Sequence, residues 1–483
     1  MTTRRDFLKM ISVGAACCTS LKHVTAAEIG EAKGTRPNFI FILTDDQRWD
    51  ALGVVQREQG EKARFPWFKT PNLDKLAEEG VRFRNAFVVN SLCAPSRASF
   101  LTGQYGYRNG VRNNHTEFPA DNVTHASVLR SKGYTTGYIG KWHMSKQSGQ
   151  RPGFDYSASF IAQGKYFDCP FEINGQSTET KGWVDDISTD YALQFLDKNK
   201  ERPFLLVVGF KTTHGPFSPP PRHEKTFEGA MAGSVPNLAT PAIYKKEQSA
   251  VRQRADGTKI ATNLGYFRCV AAMDDNVGKI LGELDKLALT ENTVVVFAGD
   301  NGYYLGEHGL GDKRTAYEES IRIPLLLRYP RMGLKEKLVD GMVLNIDLAP
   351  TFIDLAGVDV PKTMQGRSWK SLLEGKAADW RKEYYYEYFA ENEYNVPSVR
   401  ALRTESAKLV KYPNHEEWSE MFDLEKDPYE TKNLINDPAH AELREKLEGK
   451  FKKEAEAAGC NLLEPVPVQK NVTEVKKKRK NKK

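Results

Sequence analysis

The segment 91–103 (Ser-Leu-Cys-Ala-Pro-Ser-Arg-Ala-Ser-Phe-Leu-Thr-Gly) places one cysteine and one arginine beside a proline. Because proline is favoured at the first position of a helix, Pro95 predicts a helix that starts just after Cys93. Free N–H groups and the helix dipole attract anions at such a position, and Arg97 adds a planar cation. Cys93 is therefore a candidate reactive group facing an anionic substrate. The alternative is a structural cysteine, since free cysteine commonly fills a core.

Polar, titratable residues follow four apolar runs along the chain. The runs occupy 37–44, 134–140, 204–210 and 293–297. The residues that follow them are Asp45 and Asp46, Lys141 and His143, His214, and Asp300 and Asn301. Continuous apolar runs are typical of strands in a buried parallel sheet, and ligands bind at the carboxyl edge of such sheets. Each residue alone has a simpler explanation as a turn or surface group, but the repetition predicts that all of them line one sheet edge. Lys313, after 309–311 (Gly-Leu-Gly), is a further candidate cation for that edge.

The order of predicted elements indicates an α/β protein. An amphipathic helix at 263–289 and shorter helical patterns separate the apolar runs, which predicts a large, mainly parallel sheet sandwiched by helices. After about residue 360, short strands flanked by helices predict a smaller C-terminal α+β domain built on a short antiparallel sheet. We divide the chain into a signal peptide at 1–27, a catalytic domain at 36–360, a C-terminal α+β subdomain at 361–465 and a basic, disordered tail at 466–483.

Charge and cysteine usage exclude several classes of protein. The chain has 483 residues and a formal net charge of +7, but the segment 476–483 alone holds seven cations. The remainder is close to neutral, so we expect no nucleic-acid partner. No apolar stretch approaches the roughly 20 residues that a transmembrane helix needs. The six cysteines are scattered, which indicates neither a disulfide framework nor a zinc site.

The N-terminus has the pattern of an export signal. Arg4 and Arg5 precede Phe-Leu-Lys, a short apolar run follows, and small residues at 24–27 form a candidate cleavage site. The paired arginines resemble a twin-arginine signal, which implies the twin-arginine export machinery as a partner and a periplasmic or secreted bacterial protein. The segment 14–17 (Gly-Ala-Ala-Cys) lacks the leucine of a lipoprotein site, so lipid anchoring is the less favoured alternative.

The chain resembles the type I formylglycine-dependent sulfatases of the alkaline phosphatase superfamily. The matching segments are 44–47 (Thr-Asp-Asp-Gln), 93–97 with 101–103, 140–143 (Gly-Lys-Trp-His), 299–302 (Gly-Asp-Asn-Gly) and 421–434, in the order of the family. The segments 300–304, 312–314 and 345–347 look most similar to the N-acetylglucosamine-6-sulfatase and mucin-desulfating branch. The resemblance thus implies hydrolysis of a sulfate ester on a carbohydrate, with a glycan 6-O-sulfate favoured.

In this family a separate maturation enzyme oxidises the motif cysteine to formylglycine, which would make Cys93 a precursor. The aldehyde hydrates, one hydroxyl of the diol attacks sulfur, and the sugar oxygen departs. The second hydroxyl then loses its proton and expels sulfate. The resemblance also implies a hard cation, Ca²⁺ or alternatively Mg²⁺, held by oxygen ligands. Its expected ligands are Asp45, Asp46, Cys93 as formylglycine, Asp300 and Asn301.

The resemblance assigns roles to the remaining site residues. Arg97 holds the formylglycine hydrate, and Lys141 and Lys313 neutralise the sulfate oxygens. His143 deprotonates the second hydroxyl, and His214 protonates the leaving oxygen. The family's serine after the Lys-x-His motif has no clear match here, where 163–164 (Gln-Gly) occupy the region.

Substrate contacts are harder to assign than catalytic groups. Asn113, His115, Arg314 and Arg400 are candidates for binding a sugar, and the alternative for each is an ordinary surface residue. Two other functions stay open at this point. A phosphonate or phosphate monoester hydrolase of the same superfamily would bind a tetrahedral anion with the same cations. An inactive exported glycan-binding protein would result if Cys93 were never oxidised.

Overall fold

The computed structural model describes residues 36–245 and 263–467. The predicted signal peptide at 1–27 and the part of the predicted basic tail from residue 468 onwards lie outside the described residues. Among the helices that the structure describes, none combines the length and the apolar character needed to cross a membrane.

The strands form one large sheet and three smaller ones. In chain order they are β1 Asn38–Thr44, β2 Val81–Phe83, β3 Ala86–Phe87, β4 Thr135–Lys141, β5 Tyr156–Phe160, β6 Phe171–Ile173, β7 Gln176–Thr178, β8 Phe204–Gly209, β9 Thr293–Gly299, β10 Tyr304–Leu305, β11 Gly311–Asp312, β12 Leu325–Arg328, β13 Lys337–Val339, β14 Val343–Leu344, β15 Glu383–Tyr388, β16 Val399–Thr404, β17 Ala407–Lys411 and β18 Glu420–Asp423. The large sheet has ten strands in the order β13-β2-β12-β9-β1-β8-β4-β5-β6-β7. The predicted mainly parallel α/β architecture is confirmed.

The four apolar runs predicted as parallel strands are neighbours at the centre of this sheet. β1 pairs in parallel with β9 and β8, and β8 pairs in parallel with β4. Thr44 is opposite Gly299, and Gly209 lies between Leu43 and Gly140 in the register. The four strands therefore end side by side, so that the residues that follow them in the chain emerge at one edge.

The described helices are Gly53–Gln59, Pro71–Glu78, Cys93–Thr102, Gly106–Asn109, His125–Ser131, Val184–Asn199, Leu264–Lys286, Glu318–Ile321, Leu348–Leu355, Lys370–Leu373 and Ala441–Ala457. The long helix predicted at 263–289 is Leu264–Lys286, and its buried face, including Val270, Met273 and Val277, packs into the core on one side of the sheet. This pattern of apolar residues every three or four positions explains why the helix was visible in the sequence.

One predicted strand is two strands in the structure. The segment 81–87 breaks at Arg84 and Asn85, so that β2 joins the large sheet between β13 and β12 and β3 pairs with β14. The Arg84 side chain bonds the exposed carboxylates of Glu58 and Asp340, and the Asn85 amide donates to the Asp340 carbonyl. These polar contacts hold the two side chains near the surface, between the end of β2 and the start of β3.

The C-terminal region contains the predicted antiparallel sheet, with strand order β15-β16-β17-β18. The Ala441–Ala457 helix covers it and contributes Leu447 and Phe451 to a shared core. The same core includes Tyr304 and Tyr317, which flank the loop that carries Lys313. The C-terminal sheet therefore packs directly against an element of the predicted site.

The closest backbone approach in the large sheet yields a stability prediction. Gly140 has φ +85° next to Lys141, and a Cβ at this position would overlap with the Gly209 carbonyl oxygen. Gly149 has φ +87° and open space around its Cα. We expect Gly140→Ala to lower the free energy of unfolding by about 2–4 kcal/mol, because positive φ and overpacking act together. Gly149→Ala should cost about 1 kcal/mol from positive φ alone. Urea unfolding of both variants measures the difference, and equal losses would contradict the close approach.

Candidate active site

Cys93 is the first residue of the Cys93–Thr102 helix, so the helix begins two residues earlier than Pro95 predicted. Its side chain is fully buried, and Sγ donates to Oδ1 of Asp45 at 3.3 Å. Burial raises the pKa of the Cys93 thiol to about 12. Reactive cysteines have a lowered pKa, because the thiolate is the nucleophile. The encoded side chain is therefore a neutral thiol that points into an acidic site.

The acidic residues after β1 and β9 surround this thiol. One ligand atom each of Asp45, Asp46 and Cys93 lies within 4.8 Å of the other two. Oδ1 of Asp300 accepts from the Asp46 backbone N–H at 3.0 Å, and Nδ2 of Asn301 donates to Oδ1 of Asp46 at 2.6 Å. Burial raises the pKa of the Asp46 carboxyl to about 6, although Lys313 acts in the opposite direction. Three buried carboxylates thus share one small volume.

Three buried cations come from three other elements and contact these carboxylates. Nε of Arg97 donates to Oδ2 of Asp300 at 2.9 Å, and Nη1 donates to the Lys141 carbonyl at 2.7 Å. Nζ of Lys141 bonds Asp45, and Nζ of Lys313 bonds both carboxylate oxygens of Asp46 at 2.6 and 2.7 Å. Each buried charge needs an oppositely charged group at such short distances, because an unpaired buried charge is strongly destabilising.

The two predicted catalytic histidines lie near the cations and are neutral. His143 has φ +51° and is buried, and His214 is partly buried with its Nδ1 at 2.8 Å from the Gly215 carbonyl oxygen. Burial, followed by the charge of Lys141, lowers the pKa of His143 well below the usual histidine value. The pKa of His214 is lowered by the same two causes, with Lys313 adding to them.

The donor set at this edge fits a hard divalent cation. Carboxylate and amide oxygens are the ligands that Ca²⁺ and Mg²⁺ prefer. Oδ1 of Asn301 is buried, and no described residue donates a hydrogen bond to it, whereas buried polar atoms are almost always partnered. A cation would bind the carboxylate oxygens of Asp45, Asp46 and Asp300 together with this free amide oxygen.

The four candidate sugar contacts differ in exposure. His115 is exposed, with Nε2 at 3.3 Å from Oε2 of Glu393, and Oδ1 of Asn113 accepts from the His115 backbone N–H at 2.9 Å. Arg314 is buried, contacts Asp312 and Glu391, and lies on the ring of Tyr394 with its Cζ 3.5 Å from the centroid.

Arg400 lies on β16 and donates to the Leu462 carbonyl and the Tyr107 hydroxyl. Neither of these two partners belongs to the group of residues that surrounds Cys93. Contact of these four residues with a sugar stays a prediction.

The structure also brings in residues that sequence reasoning did not assign to the site. Oε1 of Gln163 accepts from Nζ of Lys141 at 2.5 Å, and its backbone carbonyl accepts from Nζ of Lys211 at 2.9 Å. Asp185 accepts from the backbone N–H groups of Lys211 and Thr212 at 2.8 and 3.0 Å. Asp185 lies in the first turn of a helix, where an acidic residue is expected anyway, so its sequence position gave no separate signal.

Two family models match the chain. The model described as Sulfatase matches residues 37–358, and the model described as N-sulphoglucosamine sulphohydrolase, C-terminal, matches residues 306–457. The first match covers more than half of the chain and includes the acidic and cationic residues that surround Cys93. The protein therefore belongs to the sulfatase family and is a sulfatase, and the resemblance seen in the sequence is confirmed.

Individual relatives are similar over nearly the whole chain. The N-acetylglucosamine-6-O-sulfatase of Bacteroides thetaiotaomicron is 32% identical, over 85% of this chain and 85% of the relative. The ulvan-active sulfatase of Formosa agariphila is 31% identical, over 88% of this chain and 82% of the relative. A solved structure in complex with its substrate D-glucosamine-2-N,6-O-disulfate superposes with a TM-score of 0.80 at 32% identity, covering 88% of this chain and 98% of that one.

The contacts of Asp185 predict a large effect on stability. Asp185→Ala would leave two buried backbone N–H groups without an acceptor, so we expect the free energy of unfolding to fall by about 3 kcal/mol. Asp197→Ala is the control in the same helix, because Asp197 pairs with Lys200 at the surface and such pairs contribute little to stability. Chemical unfolding compares the two variants. A loss at residue 185 no larger than at residue 197 would contradict this role.

Proposed function

We propose that this sulfatase removes the 6-O-sulfate of an N-acetylglucosamine-type sugar in a sulfated glycan, through a formylglycine made from Cys93. Two matches support the sugar: one relative is named for N-acetylglucosamine 6-O-sulfate, and one solved structure holds a glucosamine that carries a 6-O-sulfate. Each covers more than four fifths of this chain at 32% identity. A phosphonate or phosphate ester hydrolase is the alternative that the substrate test below addresses.

The environment of Cys93 is the observation that carries the proposal. A neutral, buried thiol with a raised pKa is a poor nucleophile, yet it lies at a helix start among metal-type ligands and three cations. The surrounding groups therefore suit a nucleophile other than the thiol, formed at the same position. Formylglycine, once hydrated, supplies one hydroxyl that attacks sulfur and a second that allows sulfate to be expelled.

A hard cation is the second group that we propose. Asp45, Asp46, Asp300 and Asn301 would hold Ca²⁺, with Mg²⁺ as the alternative, and the free Oδ1 of Asn301 supports this set. When bound, the cation supplies positive charge that polarises a sulfate oxygen and favours the ionised form of an attacking hydroxyl.

The cationic side chains are fixed for recognition of the sulfate and of the nucleophile. Arg97 is held through Nε and Nη1, while Nη2 lies buried with no hydrogen-bond acceptor among residues 36–245 and 263–467. We assign this free N–H to the hydrated side chain at position 93. Lys141 and Lys313 would neutralise the sulfate oxygens, because preorganised charge stabilises a charged transition state at little reorganisation cost.

The neutral histidines suit proton transfer. The lowered pKa keeps the His143 ring neutral, so one ring nitrogen has a lone pair that can accept the proton of the second hydroxyl. His214 is also neutral before substrate binds, and the negative charge of an incoming sulfate raises its pKa. We therefore propose that His214 holds the proton that the departing sugar oxygen takes, with Lys313 as its cationic neighbour.

Export and maturation follow from the same proposal. The twin-arginine pattern at residues 4–5 would send the chain through the twin-arginine machinery to the periplasm or the exterior. A formylglycine-generating enzyme would be its maturation partner. Residues 36–360 would form the catalytic domain and 361–465 the C-terminal subdomain.

Mass spectrometry of the peptide that contains Cys93 tests the nucleophile. Protein made in a host with the maturation system should carry formylglycine at position 93, and its turnover of 4-nitrophenyl sulfate should rise in proportion to the modified fraction. Cys93→Ala should abolish turnover while keeping the fold. Cys460→Ala is the matched control, because Cys460 is also buried but lies in the core beneath the C-terminal sheet. Equal turnover by fully unmodified protein would contradict the proposal.

A substrate panel tests the specificity and the alternative function. We expect kcat/KM for N-acetylglucosamine-6-sulfate to exceed that for the 3-sulfate by about 10²-fold, because only one ester position places sulfur beside residue 93. 4-Nitrophenyl sulfate should be turned over faster than 4-nitrophenyl phenylphosphonate. A preference for the phosphonate would replace the proposed function with the alternative.

A further inference from the structure

The helix that begins at Cys93 lacks an N-cap of its own. The residue before it is Leu92, which has no side-chain oxygen, although Ser, Thr, Asp or Asn normally caps the first free N–H groups of a helix. Oδ1 of Asn114 accepts from the Ala94 backbone N–H at 3.0 Å instead. A residue twenty positions further along the chain therefore provides the cap next to residue 93.

Asn114 is in turn held by a buried carboxylate from the C-terminal region. Its backbone N–H donates to Oε1 of Glu391 at 3.0 Å. The Glu391 side chain is only 1% exposed. Oε2 of the same carboxylate accepts from Nη2 of Arg314 at 3.5 Å. One buried side chain thus contacts two separate loops.

The second of these loops carries Lys313. Arg314 has φ +97° and Asp312 has φ +77°, values that non-glycine residues adopt only when surrounding contacts hold them. Arg314 donates to Asp312, and Lys313 between them bonds both oxygens of Asp46. Contacts that fix Arg314 therefore also fix the position of the Lys313 ammonium.

We propose that Glu391 is a positioning residue that couples the start of the Cys93 helix, through Asn114, to the Lys313 loop, through Arg314. We call Asn114, Glu391 and Arg314 the Glu391 bridge. The carboxylate is shielded from solvent and both of its oxygens are used by the protein, so it does not bind the sugar directly. The inference rests on the proposed role of residue 93 as the nucleophile.

Four single variants, one double variant and a control test the bridge. Glu391→Ala removes both contacts, and Asn114→Ala removes the cap. Asn114→Asp keeps an oxygen that can accept from the Ala94 N–H. If Glu391→Ala fails to fold, Glu391→Gln takes its place, because glutamine keeps an oxygen that can accept from the Asn114 N–H. Glu387→Gln is the matched control: Glu387 is buried in the same segment, and burial raises its pKa to about 8, so glutamine replaces a neutral acid of equal shape.

The kinetic readout separates positioning from substrate binding. The quantities to measure are kcat and KM for 4-nitrophenyl sulfate and for N-acetylglucosamine-6-sulfate, with kcat normalised to the formylglycine content found by mass spectrometry. Glu391→Ala and Asn114→Ala should each lower kcat by about 10²-fold on both substrates, with KM nearly unchanged, because a small displacement of a reacting group costs about this much. The double variant Glu391→Ala/Asn114→Ala should be no slower than the slower of its two single variants. Asn114→Asp should recover most of kcat, and Glu387→Gln should match wild type.

Hydrogen exchange gives a readout that does not require turnover. The peptide 91–103 should exchange faster in Glu391→Ala and Asn114→Ala, and at the wild-type rate in Glu387→Gln. Unchanged exchange, unchanged normalised kcat or a loss confined to the sugar substrate would overturn the proposal. If wild type turned over neither sulfate, the proposed function would fail, while the exchange data would still report on the bridge.

Discussion

The burial of three carboxylates beside one another is the constraint on which the rest of the site depends. Asp45, Asp46 and Asp300 repel each other and lose their hydration, which is costly unless cations are equally buried and close. Those cations come from the Cys93 helix, from the end of β4 and from the loop after β11. The central strand order β9-β1-β8-β4 is what allows elements so distant in the chain to supply matching charges at one edge.

The features that local patterns encode were predictable from the sequence. Continuous apolar runs identified β1, β4, β8 and β9, and parallel pairing then required Asp45, Lys141 and Asp300 to emerge together. The motif around Cys93 added the chemistry, because cysteine, proline and arginine at that spacing match a sulfatase signature. The antiparallel C-terminal sheet was visible for a similar reason, since short strands alternate there with turn residues.

The features that depend on long-range contacts were not predictable. The helix start was placed at Pro95, whereas the structure starts it at Cys93, where Asn114 provides the cap that Leu92 lacks. Asp185 and Glu391 look like ordinary helix-start and loop acids, and only the folded chain shows which backbone groups they satisfy. The break in the segment 81–87 likewise depends on a change of strand partner, which no local periodicity records.

The neutral thiol at position 93 has a consequence for how any preparation of this protein behaves. On the proposed chemistry, a molecule that keeps its cysteine has neither the hydroxyl nucleophile nor a thiolate to act in its place, because burial holds the proton on sulfur. On the same proposal, such molecules would be folded but would have no sulfatase activity. A sample would then be a mixture of two populations. A low specific activity would reflect a small fraction of converted molecules and not a lower turnover rate of each active molecule.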